Sequence, residues 1–239
     1  MPPCLHSLFF LFFIVARAPD VKIIVNRLET RYRSARTLQA TFLERYIENG
    51  RIVRTEAGIA YFRRPGKMRW EYEAPEKNLF LVDGKSAWFY VPADHTVTRV
   101  PAKESTDWRT PLALLAGEMR VSRVCARVQV ATSEKLESPV DVILRCQLRG
   151  SSAPSQNPSA SESGKPGEED SEAVFFEIVK NTGELVSVAV RDPGGVRIEF
   201  HFTNWQADPP IDDSLFHFHA PPGVAIVNGE LPGESGATP

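Results

Sequence analysis

Nothing in this sequence matches a catalytic signature. It has no G-x-S-x-G, H-E-x-x-H, C-x-x-C or G-x-G-x-x-G pattern, and Gly84-Lys85-Ser86 lacks the first glycine of a phosphate loop, because Leu79 stands there. An enzyme is therefore not expected, nor a cofactor. His217 and His219 share a strand face without a third ligand nearby, so they read as structural and no metal is expected. No run of five basic residues occurs, and nucleic acid is not an expected partner, although residues 1–120 carry a net +6 and residues 121–239 a net −8. The apolar run from Leu8 to Val15 falls far short of the roughly twenty residues of a membrane helix. A hydrophobic content of 42% with 24% charged residues excludes both a multi-span and a disordered chain.

That apolar run, followed by Ala16-Arg17-Ala18, reads as a secretory signal over residues 1–18, though its first residues hold no Lys or Arg and Pro19 would follow the cut. Cys4 precedes the run, the wrong order for acylation, so the mature protein is not expected to carry a lipid. Of the three cysteines, Cys125 and Cys146 would remain. They lie on two expected strands, 121–130 and 141–149, which fold about residue 135 as a hairpin and set the two side chains nearly opposite. A cross-strand disulfide and two buried free thiols are both compatible with that placement.

Helical spacing runs through Val21, Ile24, Val25, Leu28 and Tyr32, one apolar stripe among charged residues. The period then falls to two. Leu38, Ala40 and Phe42 alternate with Gln39, Thr41 and Leu43; Asn49-Gly50 marks a hairpin turn, and a second strand follows from Ile52 to Phe62. In the third strand Met68, Trp70 and Tyr72 face one way and Lys67, Arg69, Glu71 and Glu73 the other. Residues 78–82 and 86–91 pair around a two-residue Asp83-Gly84 turn, and a short strand from Thr96 to Val100 comes next. A short apolar helix starts at Pro111 and carries Leu112, Leu114 and Leu115. Residues 150–172, rich in Pro, Ser, Gly and acid, read as a flexible insertion, and 229–239 as a disordered tail. Strands over 173–180, 185–192 and 196–206 and an edge strand complete the chain.

The fold class is mainly β: a single curved antiparallel sheet of ten or eleven strands in one domain over 19–228. Its bulky apolar face encloses either a packed core or a ligand cavity, with the helices as a plug.

Arg64-Pro65, Met68, Trp70, Pro75, the run LVDGKSAWFYVP, Thr110-Pro111-Leu112 and the closing FHFHAPPGV resemble the LolA family of outer-membrane lipoprotein carriers, from about residue 20 to 227 apart from the insertion. Two residues depart from that pattern: Glu44 where the family usually has Gln, and Met68 where an aromatic is common. The resemblance implies a half-open barrel in the periplasm whose cavity, lined by Leu38, Ala40, Phe42, Met68, Trp70, Tyr72, Phe80 and Trp88, shields acyl chains under a lid helix holding Leu112, Leu114 and Leu115. It implies that Arg64 hydrogen-bonds to the lid and holds the cavity shut; the plainer alternative is that Arg64 pairs with Glu56 or Glu71. Implied partners are acylated lipoproteins, an inner-membrane ABC transporter of the Lol type and an outer-membrane acceptor, with the carrier a monomer. A carrier of another amphiphile and a lipid-sensing module of the same fold are the other expectations.

Overall fold

The computed structural model describes residues 19–102, 112–117, 120–149, 172–192 and 194–229. The signal, the insertion up to residue 171, Thr110-Pro111 and the tail beyond Gly229 lie outside the described residues.

The first helix, α1 (Val21–Arg33), begins where the Asp20 carboxylate accepts the Lys22 N–H at 2.9 Å, and it buries Ile24, Leu28 and Tyr32 as the stripe requires. Six strands follow: β1 (Thr37–Glu48), β2 (Arg51–Arg63), β3 (Lys67–Ala74), β4 (Leu79–Val82), β5 (Ser86–Val91) and β6 (Thr96–Pro101). The β1–β2 turn has Asn49 at φ 49° and Gly50 at φ 75°, the left-handed pair that an Asn-Gly hairpin needs. Next come α2 (Ala113–Ala116), α3 (Val121–Val124), β7 (Cys125–Val130), β8 (Asp141–Leu148), β9 (Ala173–Val179), β10 (Leu185–Arg191), β11 (Val196–Ala207) and β12 (Ala225–Asn228).

These strands form one open sheet of twelve, in the order β12-β6-β5-β4-β3-β2-β1-β11-β10-β9-β8-β7. Every pair is antiparallel except β12 with β6, which is parallel. The sheet thus has twelve strands where ten or eleven were expected, and its last strand runs with its neighbour. Residues 121–124, expected as strand, form a helical turn before β7. The chain reverses between Val82 and Ser86 over three residues rather than two, with Asp83 Oδ1 accepting the Lys85 and Ser86 N–H groups at 2.8 Å each.

The position of α1 on the sheet is fixed from several sides. The Tyr32 hydroxyl accepts the Leu185 N–H at 3.0 Å, Arg27 donates to the Lys180 carbonyl at 2.7 Å, and Arg31 pairs with Glu184. Gly183, at φ 71°, lets the β9–β10 turn touch the helix: a Cβ there would stand 2.5 Å from the carbonyl carbon of Arg27.

Candidate functional site

One face of the sheet is apolar and covered by helices. Leu38, Ala40 and Phe42 of β1, Met68, Trp70 and Tyr72 of β3, and Phe80 of β4 join one buried cluster with Leu112, Leu114 and Leu115 at α2 and with Ile24, Leu28 and Tyr32 of α1. Strand alternation puts them there, because residues two apart share a face. Trp70 is the hub: its ring centroid lies 4.8 Å from Phe42, 5.7 Å from Phe62, 5.1 Å from Phe200 and 6.1 Å from Phe202. It is 0% exposed, and its indole Nε1 has no hydrogen-bond partner among the described residues. Glu44, where the family pattern has Gln, accepts the Tyr72 hydroxyl at 2.7 Å inside this face.

Trp88 goes elsewhere. The β4–β5 register pairs Phe80 with Phe89 and Leu81 with Trp88, so Phe89 packs against the core and Trp88 lies on the outer face. There it stacks on Phe218 at 5.1 Å, lies under the Arg99 guanidinium at 4.9 Å and donates to Asp83 Oδ2 at 3.0 Å. Phe62, Phe200 and Phe202 were missed as site residues. The alternation Ile198, Phe200, Phe202 in β11 was the signal that points to two of them.

Among the described residues, two hydrogen bonds hold the segment around α2 and the start of α3. The Gly66 N–H donates to the Ala116 carbonyl at 2.8 Å, and the Val121 N–H donates to Glu29 Oε1 at 2.8 Å. Arg64, expected to bond to the lid helix, instead donates through Nη1 to the carbonyls of Arg33 and, at 2.7 Å, Ala35, at the end of α1. It pairs with neither Glu56, which holds Arg54, nor Glu71, which holds Arg69. Burial pulls the Arg64 guanidinium below the ordinary arginine pKa, Asp208 opposes this and Arg33 adds to it.

The cysteines form a disulfide, with Cα atoms 5.4 Å apart, that closes the edge pair β7–β8 next to the apolar cluster. The register is shifted from the expected one. Cys125 stands opposite Leu148 and Cys146 opposite Val128, with an irregularity between Cys125 and Arg127.

The outer face has a different character. The segment 131–140 borders a half-open polar pocket of about 740 Å³ beside β8–β11, lined among others by Arg45, Glu137, Glu177, Glu199 and His201. Its charges are used on one another: Glu134 holds Arg191 and Arg197, Arg197 reaches Glu199 at 2.7 Å, and His201 Nδ1 lies 2.8 Å from Glu137. A hydrogen bond from His201 and the Arg197 guanidinium push the Glu199 carboxyl down to about 2, against its burial. Such a pocket does not suit hydrocarbon. Among the described residues no group of three or more His, Cys, Asp and Glu is placed to hold a metal.

A family model described as outer membrane lipoprotein carrier protein LolA matches residues 33–139. The outer-membrane lipoprotein carrier protein of Nitrosospira multiformis is 31% identical over 131 residues, 54% of this chain and 62% of that relative, so this alignment spans less than two thirds of its length. That of Nitrosomonas europaea is 27% identical over 208 residues, 85% of this chain and 88% of that one. Over residues 33–139 the chain is similar to the LolA family. Its fold is shared with an uncharacterized conserved protein of Thermus thermophilus, with a TM-score of 0.51 at 14% identity, covering 87% of this chain and 98% of that one. The LolA match begins at the end of α1 and runs through β1–β6 and the lid, so it contains Arg64, Trp70 and α2.

Proposed function

We propose that the protein is a periplasmic carrier of acylated lipoproteins, a monomer that accepts them from an inner-membrane ABC transporter of the Lol type and gives them up to an outer-membrane acceptor. The observation that carries this reading is the inner face itself: a broad aromatic and aliphatic surface covered by the four-residue α2, which among the described residues is held at Gly66 and, beyond it, through Val121 at Glu29. The names of the relatives supply the cargo class.

The described conformation is closed, with the site filled by its own side chains. Phe42, Trp70 and Phe80 are 1% exposed or less, so acyl chains enter only when α2 lifts and the rings give way. Burying an acyl chain of about fifteen carbons is worth roughly 12 kcal/mol against water, at about 0.8 kcal/mol per methylene, but almost nothing against a bilayer. Hydrogen bonds that exist only in the empty, closed form therefore set whether cargo is kept or released. The Trp70 Nε1 donor, without a partner among the described residues, is suited to the ester or amide carbonyl at the head of an acyl chain.

The test uses one short lipopeptide in acylated and deacylated forms, mixed with purified protein and separated by gel filtration. The reading requires a one-to-one complex with the acylated form alone. Failure to bind it, with phospholipid or glycolipid found on natively purified protein, would assign the face to another amphiphile.

A further inference from the structure

In this chain Arg64 makes no hydrogen bond to the described residues of the lid helix, yet the lid is tied to the element that Arg64 holds. Arg64 Nη1 donates to the carbonyls of Arg33 and Ala35, and its own N–H donates to the Arg36 carbonyl at 3.0 Å, which fixes the end of α1 against the β2–β3 turn. One turn back along α1, the Arg33 guanidinium meets Glu29 Oε2 at 2.6 Å, an i, i+4 pair. The other oxygen, Glu29 Oε1, accepts the Val121 N–H at 2.8 Å. Val121 opens α3, whose preceding residue Arg120 offers no side-chain cap, so the Glu29 carboxylate takes a helix N–H that the turn itself leaves unpaired. The Val121 side chain is 2% exposed within the same apolar cluster as the lid leucines.

We propose that Glu29 is the latch through which Arg64 keeps the lid closed: Arg64 sets the end of α1, Arg33 orients the Glu29 carboxylate, and Glu29 holds the backbone where the chain leaves the lid. Its meaning for cargo rests on the carrier reading above, but the latch itself is a property of the empty protein. Loading then requires one charged hydrogen bond to break at Val121 together with the Gly66–Ala116 bond, while α1 stays anchored to the β9–β10 turn and to β10. Glu29 is a positioning residue, and Arg64 acts at one remove.

Amide hydrogen exchange read by mass spectrometry tests this in lipid-free full-length protein, on peptides spanning residues 112–121. Glu29→Ala is expected to speed exchange there about tenfold, the factor equivalent to roughly 1.4 kcal/mol, with peptides of β1 and β11 unchanged. Glu29→Gln keeps an acceptor for Val121 and is expected to change it by about threefold or less. Adding Arg64→Leu to Glu29→Ala is expected to accelerate the lid little further. Wild-type exchange in Glu29→Ala would overturn the proposal, as would equal acceleration across the whole sheet, or accelerations by Arg64→Leu and Glu29→Ala that simply multiply. Lipopeptide binding by the wild-type protein separates the two levels: a lid effect without binding refutes the carrier and leaves the latch, and binding without a lid effect does the reverse.

Discussion

Arg64 Nη1 donates to the Ala35 carbonyl at 2.7 Å and ties the β2–β3 turn to the end of α1. The guanidinium gains two charged bonds there, while its Nε and Nη2 are buried without partners among the described residues. The unpartnered donors offset part of the gain. Arg64→Leu is therefore expected to cost only about 1 kcal/mol of global stability, measured by urea unfolding. Its larger effect should fall on release of bound cargo.

Gly183 is the point at which α1 meets the β9–β10 turn. Alanine there combines a left-handed φ with a Cβ 2.5 Å from the Arg27 backbone. Gly183→Ala should lose about 2 kcal/mol or more, and exchange should rise first in α1. An unchanged urea midpoint would show that the helix can shift without penalty.

The Cys125–Cys146 bridge closes a loop with a sequence separation of 21 at the sheet edge. Replacing both by serine is expected to destabilise the protein by about 3 kcal/mol. Thiol titration of denatured, unreduced protein should find neither Cys125 nor Cys146 free; two reactive groups assigned to them would contradict the bridge.

Glu199 gives the outer face a pH signature. Its folded pKa, about 2, lies below the ordinary carboxylate value of 4.5, so its contribution is present above about pH 4.5 and is lost as pH falls toward 2. Glu199→Gln should cost on the order of 1–2 kcal/mol at pH 7, with the difference from wild type shrinking through that window. A difference that stays constant down to pH 2 would contradict the assigned cause.

Trp70 offers a way to read the chemistry of the ligand. Trp70→Phe removes the unpartnered Nε1 and keeps an aromatic ring, so it should weaken binding of an ester-linked acyl ligand by about fivefold, near 1 kcal/mol for one hydrogen bond. An alkyl-ether ligand without the carbonyl should be affected much less. Equal weakening of both would reduce Trp70 to a packing residue.

Most of the fold was legible because its signals are local. The α1 stripe, the Met68-Trp70-Tyr72 alternation and Asn49-Gly50 each depend on a few neighbouring residues, and all stand where the pattern puts them. Trp88 was not legible, because three consecutive aromatics, Trp88, Phe89 and Tyr90, fit either parity and only the pairing with β4 decides which faces inward. Residues 121–124 read as strand from their valines, yet the Glu29 carboxylate at Val121 and the tie of the lid to α1 favour a helical turn there. Arg64 could be found from its resemblance to a family residue. Its acceptors are backbone carbonyls about thirty residues upstream in sequence, and no residue pattern encodes them.

The most direct test of the carrier account is lipoprotein release. Purified protein is added to spheroplasts of its host making a labelled lipoprotein, and the label leaving the membrane is followed, for wild type and for Arg64→Leu. The account predicts a soluble one-to-one complex with both, which wild type surrenders to outer membranes and Arg64→Leu retains. Label that stays with the membrane in the presence of folded wild-type protein would contradict it.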